Sequence, residues 1–181
     1  MKGGADDELL RTSRRQFRPE LCHVVGPFFC PLVFRNVQPL KPLFLGSEIY
    51  RGSSFGRWHP LRVPRVSTVM DLSRALGWLG PDQFRTSPRA KPAALTHWHT
   101  PDYIAALHRA EVEQEVSEDV RTRHGLGTVS NPLYPEMFRR PATAVGGSLL
   151  AAELIAQGGI VYSPGGGTHH GMADRAAGFC Y

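Results

Sequence analysis

The sequence predicts an α/β fold with a parallel sheet. Three observations point there: short apolar runs near residues 43 and 160, helical patterns between them, and a glycine-rich loop directly after the second run. Leu43-Phe44-Leu45, followed by Gly46 and Ser47, has the form of a short buried parallel strand. A loop rich in Gly, Ser and Arg follows from Tyr50 to Pro60. Pro64 suits the first position of a helix, and Val66, Val69, Met70, Leu72, Leu76 and Leu79 fall at mostly helical spacing behind it. Gly80-Pro81 stops that run. Thr100-Pro101-Asp102 is a second helix start: Thr can cap, Pro fits the first turn, and Asp suits the positive end of the dipole. Ile104, Ala105, Leu107 and Val112 continue it, and the polar stretch 113–131 predicts a flexible loop around Gly125-Leu126-Gly127.

A third helix is predicted from about Ala142 to Gln157, with Pro141 at its beginning or at a kink. Gly146-Gly147 inside it costs about 1 kcal/mol per glycine relative to Ala, which predicts close packing against a neighbour. Gly158-Gly159 ends this helix and Ile160-Val161-Tyr162 opens a strand that runs into Ser163-Pro164-Gly165-Gly166-Gly167. Strands separated by helices imply a parallel sheet covered on both faces. In such sheets sites form where loops leave the carboxyl ends of strands, which is where this glycine loop falls.

Composition bounds the function. The 181 residues are 41% hydrophobic, enough for one domain with a core. Residues 1–42 mix arginines, prolines and short apolar runs without periodicity and read as an N-terminal extension whose order the sequence does not define. The domain is expected over 43–181. Lys and Arg exceed Asp and Glu by 21 to 16, but no stacking aromatics alternate with the excess, so it reads as solvated surface and not a nucleic-acid groove. Cys22, Cys30 and Cys180 lack CxxC spacing and read as reduced thiols of a cytoplasmic protein. The apolar stretch Val24 to Phe34 contains Pro27 and Pro31 and falls short of the roughly 18 residues a span needs. Asp6, Asp7 and Glu8 precede it and no clean cleavage site follows, which argues against a signal peptide and against a membrane partner.

The chemistry-bearing stretch runs from Ser163 to Tyr181. Gly165-Gly166-Gly167 lets the backbone turn tightly, and His169 and His170 follow on that turn. Neutral imidazoles accept protons near neutral pH, and two with different neighbours can be tuned apart. The pair could be an acid–base couple, part of a metal site, or an anion nest. A Walker-type phosphate loop needs Lys-Ser/Thr at its end, and none is present.

Gly165-Gly166-Gly167-Thr168-His169-His170 followed by Gly178-Phe179-Cys180-Tyr181 resembles the paired-histidine signature of the histone deacetylase superfamily, which includes acetoin-utilisation proteins and acetylpolyamine amidohydrolases. His59-Pro60-Leu61-Arg62-Val63-Pro64-Arg65, Trp98-His99-Thr100-Pro101-Asp102-Tyr103, Gly125 to Pro132, and Ala144 to Ser148 agree with family motifs in order and spacing. The resemblance implies an arginase/deacetylase-like three-layer α/β/α fold, incomplete over 43–181, and zinc-dependent deacetylation of an acetylated lysine or small acetylated amine. It further implies that His169 stabilises charge at the attacking water and that His170 is general base and then acid. Gly178 and Phe179 would line a substrate tunnel, and Arg65 an acetate channel.

The family holds Zn2+ through an Asp-x-His pair and a later Asp. No Asp-x-His occurs here, so the expectation is that no residue of this chain is a metal ligand and that the chain alone is inactive. The missing remainder of the domain, or another chain, is expected to cover an open sheet edge. A rim position that is acidic in some members falls near Ser130, favouring a small acetylated substrate. His59 and His99 read as turn or core histidines, Trp58, Trp78 and Trp98 as packing residues, and Asp174 as a cap near the start of a short helix. The rival reading is a non-catalytic interaction protein of deacetylase type; a metallohydrolase using His169 and His170 as direct ligands is weaker.

Overall fold

The computed structural model describes residues 41–52, 55 and 59–181. The chain divides into two units, Met1–Val37 and Gln38–Tyr181. The first, with most of the expected extension over 1–42, lies outside the described residues, as do Cys22, Cys30 and Trp58.

Three parallel strands, β1 (Leu43–Gly46), β2 (Phe84–Thr86) and β3 (Val161–Tyr162), form one sheet in the order β2-β1-β3. The apolar run at Leu43 is the central strand, with Leu45 fully buried. Its register sets Phe44 beside Phe84 and Tyr162, and the Phe44 ring meets theirs at 6.3 and 5.3 Å. The parallel arrangement agrees with the strand–helix alternation. β2 was not expected: a three-residue strand with Arg85 and Thr86 exposed carries no readable apolar pattern.

Among the described residues six α-helices connect and flank these strands: α1 (Ile49–Gly52), α2 (Arg65–Ala75), α3 (Pro92–Leu95), α4 (Pro101–Glu113), α5 (Glu118–His124) and α6 (Arg139–Ile155). Pro64 is the N-cap of α2 and not its first residue, and its carbonyl accepts hydrogen bonds from the Ser67 and Thr68 hydroxyls at 3.0 and 2.9 Å. α2 ends at Ala75, short of Leu79, because Gly77 turns left-handed (φ 72°). The periodic residues Leu72 and Leu76 are half exposed, so the face of α2 turned to the protein is the one carrying Ser67 and Met70.

α4 begins where Thr100-Pro101-Asp102 placed it, and buries Tyr103, Ile104, Leu107 and Ala110. α5 lies inside the stretch expected to be loop. It has no apolar stripe, but Ser117 caps it by accepting from Val120 N at 3.3 Å. α6 spans the third predicted helix and starts three residues before Ala142, with Pro141 in its first turn. Its N-cap is Phe138, whose side chain cannot accept a hydrogen bond. Glu111, near the end of α4, does so instead: its carboxylate receives Phe138 N and Arg139 N, both at 2.9 Å, and Arg139 Nε at 2.7 Å. A carboxylate there also suits the positive end of the α6 dipole. The main core gathers α4 and α6 around Tyr103, Leu107, Leu126, Met137 and Phe138.

Gly146 of α6 has no room for a side chain: a Cβ there would overlap the Pro88 carbonyl oxygen and sit 2.8 Å from Ala90 N. The close packing predicted from the glycine pair is therefore present. Trp78 and Trp98, expected to pack, are instead 72% and 67% exposed.

Candidate active site

β3 delivers the chain into the glycine loop at the carboxyl end of the sheet. Gly166 N donates to Ser163 O at 3.3 Å, closing the first turn. His169 and His170 follow, both exposed, with ring centroids 4.2 Å apart and planes inclined by 39°. His169 Nδ1 lies 3.2 Å from the Gly167 carbonyl, which can only accept, so Nδ1 carries the proton and Nε2 is left as the acceptor in the neutral ring.

The short helix expected after Asp174 is absent. Residues 171–181 return as an irregular arm ending in a tight turn, where Ala177 and Cys180 exchange backbone hydrogen bonds at 3.1 and 2.9 Å. The two central residues of this turn, Gly178 and Phe179, have φ of 52° and 67°, as primed two-residue turns demand. For Phe179 that conformation costs on the order of 1–2 kcal/mol. It holds the Phe179 ring edge-on to His59 at 4.5 Å. Gly178 lies beneath His170: a Cβ there would come within 2.9 Å of the imidazole Cγ. Asp174 is exposed and caps no helix.

Beside this turn lies a cavity of about 400 Å³. Its wall includes Arg65, Gly178 and Phe179, three of the five site residues expected from sequence, and also Tyr50, Tyr134 and Arg140. His169 and His170 are not part of that wall, although the preceding Thr168 is. Arg65 is the first residue of α2, exposed and without an ion pair among the described residues. Ser130 stands exposed on the 125–131 loop, which Thr128 closes by donating to Gly125 O and accepting from Asn131 N, both at 3.1 Å.

His59 is a turn histidine, as expected. Its Nδ1 accepts from Leu61 N at 3.0 Å, its ring stacks on Phe55 at 4.8 Å, and burial lowers its pKa so that it stays neutral. Cys180 is a buried free thiol.

Tyr50 and Tyr134 were not legible as site residues. Both hydroxyls are buried and without a hydrogen-bond partner among the described residues. The Arg140 guanidinium stands 5.6 Å from the Tyr50 ring centre and 5.0 Å from that of Phe55. Burial pushes the Tyr50 phenol up to about 12, against the lowering influence of Arg140, and it raises Tyr103, Tyr134 and Tyr181 further. A phenol whose pKa rises on folding stabilises the fold fully below its unfolded value near 10, and that contribution is lost as pH rises through the folded value. Stability is therefore expected to fall between about pH 10 and pH 12. Because the Tyr50 hydroxyl has no partner among the described residues, Tyr50→Phe should leave the melting temperature at pH 7 unchanged or higher. It should also recover part of the alkaline loss, about 1 kcal/mol at pH 11. Melting curves at pH 7 and pH 11 check both.

Among the described residues no three His, Cys, Asp or Glu side chains approach closely enough to hold a metal ion. No described helix is long and apolar enough to cross a membrane.

Comparison with known proteins gives a consistent result. The family profile for the histone deacetylase domain matches residues 59–181. The acetoin utilization protein AcuC of Bacillus subtilis (strain 168) is 32% identical over 140 residues, 76% of this chain and 36% of that protein. AcuC of Staphylococcus aureus (strain MSSA476) is 34% identical over 142 residues, 77% of this chain and 36% of that protein. An HDAC homologue from Aquifex aeolicus superposes with a TM-score of 0.76 at 32% identity, over 78% of this chain and 38% of that one. An HDAC homologue complexed with SAHA gives a TM-score of 0.75 over the same shares. The chain thus spans little more than a third of the length of these relatives.

Proposed function

Because the chain belongs to the histone deacetylase family and has the arginase/deacetylase fold, we propose that it carries the proton-transfer loop, tunnel wall and product channel of an amide hydrolase. The substrate is an acetylated lysine or a small acetylated amine. The observation that carries this reading is the convergence of Arg65, Gly178 and Phe179 on one cavity immediately beside the His169-His170 loop.

His170 takes a proton from the attacking water and returns it to the leaving amine, and His169, whose Nε2 is left to accept, holds that water by a hydrogen bond. Phe179, fixed against His59, packs on the methylene stem of the substrate, and Gly178 leaves room for it. Acetate is small against a 400 Å³ cavity. Arg65, with no ion pair among the described residues, can hold its carboxylate in a forked pair of hydrogen bonds. The exposed Ser130 supplies no charge at the rim to grip a peptide backbone, which favours a small amine.

The resemblance implies Zn2+, but the described residues do not by themselves fit a metal ion, and no step is derived through one. β3 stands at the edge of the sheet, with Ile160 66% and Tyr162 51% exposed. We assign that edge to a further strand, from the same polypeptide or another, and place the domain over 43–181 in a cytoplasmic protein. The exposed flank of β3 supports the first assignment, and the matched span 59–181 falls inside that domain.

The test is hydrolysis of an acetyl-lysine peptide and an acetylated polyamine, with Zn2+ supplied, by the native protein isolated with whatever segment covers the β3 edge, together with binding of SAHA. Turnover of either substrate supports the reading, and preference for the polyamine supports the role given to Ser130. No turnover and no SAHA binding would overturn it. No feature of the site favours a purely non-catalytic role.

A further inference from the structure

Two buried or half-buried histidines outside the paired-histidine loop reach the arm that follows it. His99 stands just before α4, and its Nδ1 lies 3.0 Å from Met172 O. His124 is the last residue of α5, only 4% exposed, and its Nδ1 lies 2.6 Å from Asp174 O. Between and beyond them the backbone continues the same attachment: Thr100 N donates to Ala173 O at 2.8 Å, and Ala176 N donates to His124 O at 2.9 Å. Residues 172, 173, 174 and 176 are thus each tied to a position next to or within His99-Thr100 or His124. Tyr103 fills the space between the two imidazoles, 5.4 and 5.6 Å from their centres. Gly125 lets the arm come close, since a Cβ there would sit 2.7 Å from Ala176 O.

The outgoing half of the loop lacks such attachment. Over 167–170 the hydrogen bond recorded among the described residues is His169 Nδ1 to Gly167 O, which is internal to the loop. The arm that is tied down ends in Gly178, directly against the His170 ring. Position is therefore passed from α4 and α5 through the arm to the imidazole.

We propose that His99 and His124 are positioning residues that clamp the return arm and thereby fix the orientation of His170 over Gly178. The importance of that orientation rests on the proposed deacetylase reading, but the clamp itself does not. Both contacts face carbonyl oxygens, so both rings act as Nδ1–H donors. Asparagine places its amide N–H₂ at the same branch point as Nδ1 and can replace that donation, whereas leucine fills the space and cannot.

The experiment compares His124→Leu with His124→Asn in the full chain. It reads amide hydrogen exchange over 172–178 and the imidazole NMR signals of His169 and His170. In the leucine variant, exchange over 172–178 should accelerate about tenfold, as expected for a lost buried hydrogen bond. The His170 signals should shift, protection in α6 should be unchanged, and asparagine should restore the first two. A purely structural role would lower protection throughout and leave asparagine no better than leucine, and either result overturns the clamp. If His124→Leu does not fold, the same pair at half-buried His99 decides in the same way. SAHA binding by the unaltered chain is read in parallel. If it is absent while the histidine signals behave as stated, the deacetylase reading fails and the clamp stands.

Discussion

On the proposed deacetylase reading, replacing His170 with alanine in the protein with its β3 edge covered is expected to lower kcat/KM for an acetylated amine by about 10²–10⁴-fold, the usual contribution of a positioned general base or acid. The two loop histidines are not equivalent in structure. His169 has its Nδ1 engaged by the Gly167 carbonyl, which fixes its tautomer, whereas the His170 ring is held by packing on Gly178. In the proposed roles His170 carries both proton transfers whereas His169 only holds the water, so the larger loss is expected at His170. The loss should fall on kcat, with KM little changed, because neither histidine forms the cavity wall. His169→Ala should cost less than His170→Ala. Gly178→Ala, whose new methyl would strike the His170 ring at a backbone φ that disfavours it, should reproduce part of the His170 effect while leaving both imidazoles in place. Steady-state kinetics on the three variants would decide. Equal losses at His169 and His170, or full activity in His170→Ala, would reverse the assignment.

Gly146→Ala is expected to destabilise the fold by about 3 kcal/mol or more, although a Gly→Ala change inside an unencumbered helix gains about 1 kcal/mol. The reason is the neighbour. The new methyl would meet the Pro88 carbonyl and Ala90 N, and Ala90 N already donates to Ala142 O one turn earlier in α6. Both obstacles are backbone, so α6 and the 88–90 segment would have to separate. Gly147→Ala is the control. Its methyl would face the Ser87 and Ser163 hydroxyls at 2.8 and 3.3 Å, which can rotate away, and the Ser87 Cβ at 3.2 Å, which need give by only a few tenths of an ångström. Urea midpoints should fall much further for Gly146→Ala than for Gly147→Ala. Equal midpoints would mean that the approach of α6 to 88–90 is looser than the structure has it.

This contrast also shows what sequence carries and what it does not. Gly146-Gly147 announced a close approach, but nothing in the chain said that Pro88 was the partner. Thr100-Pro101-Asp102 located α4 to the residue because a proline and an aspartate in the first turn are local signals, although the Thr100 side chain makes no capping hydrogen bond there. α5 escaped notice because it has no apolar stripe, although Ser117, the acidic first turn Glu118-Asp119, the basic last turn and Gly125 behind it are all start and stop signals. β2 has too few residues to show any alternation. For the site, the paired histidines and Gly178-Phe179 were legible as a motif, and Arg65 proved to share a cavity with the latter. Tyr50 and Tyr134 were not legible, because a lone tyrosine carries no pattern and their relation exists only after folding. The Asp174 helix was misread: the segment takes its shape from His99 and His124, far away in the chain, and not from any signal of its own.

The order of the strands sets a timetable for synthesis. β1 is made first of the three and lies in the middle, and β3, its second neighbour, is separated from it by well over a hundred residues. At about 5–20 residues per second, the ribosome adds β3 on the order of ten seconds after β1. Throughout that interval the nascent chain can pair β1 with β2 but must leave the other side of this apolar strand unmatched. A holding chaperone, or a slow stretch of translation placed after Tyr162, would act on that one exposed flank.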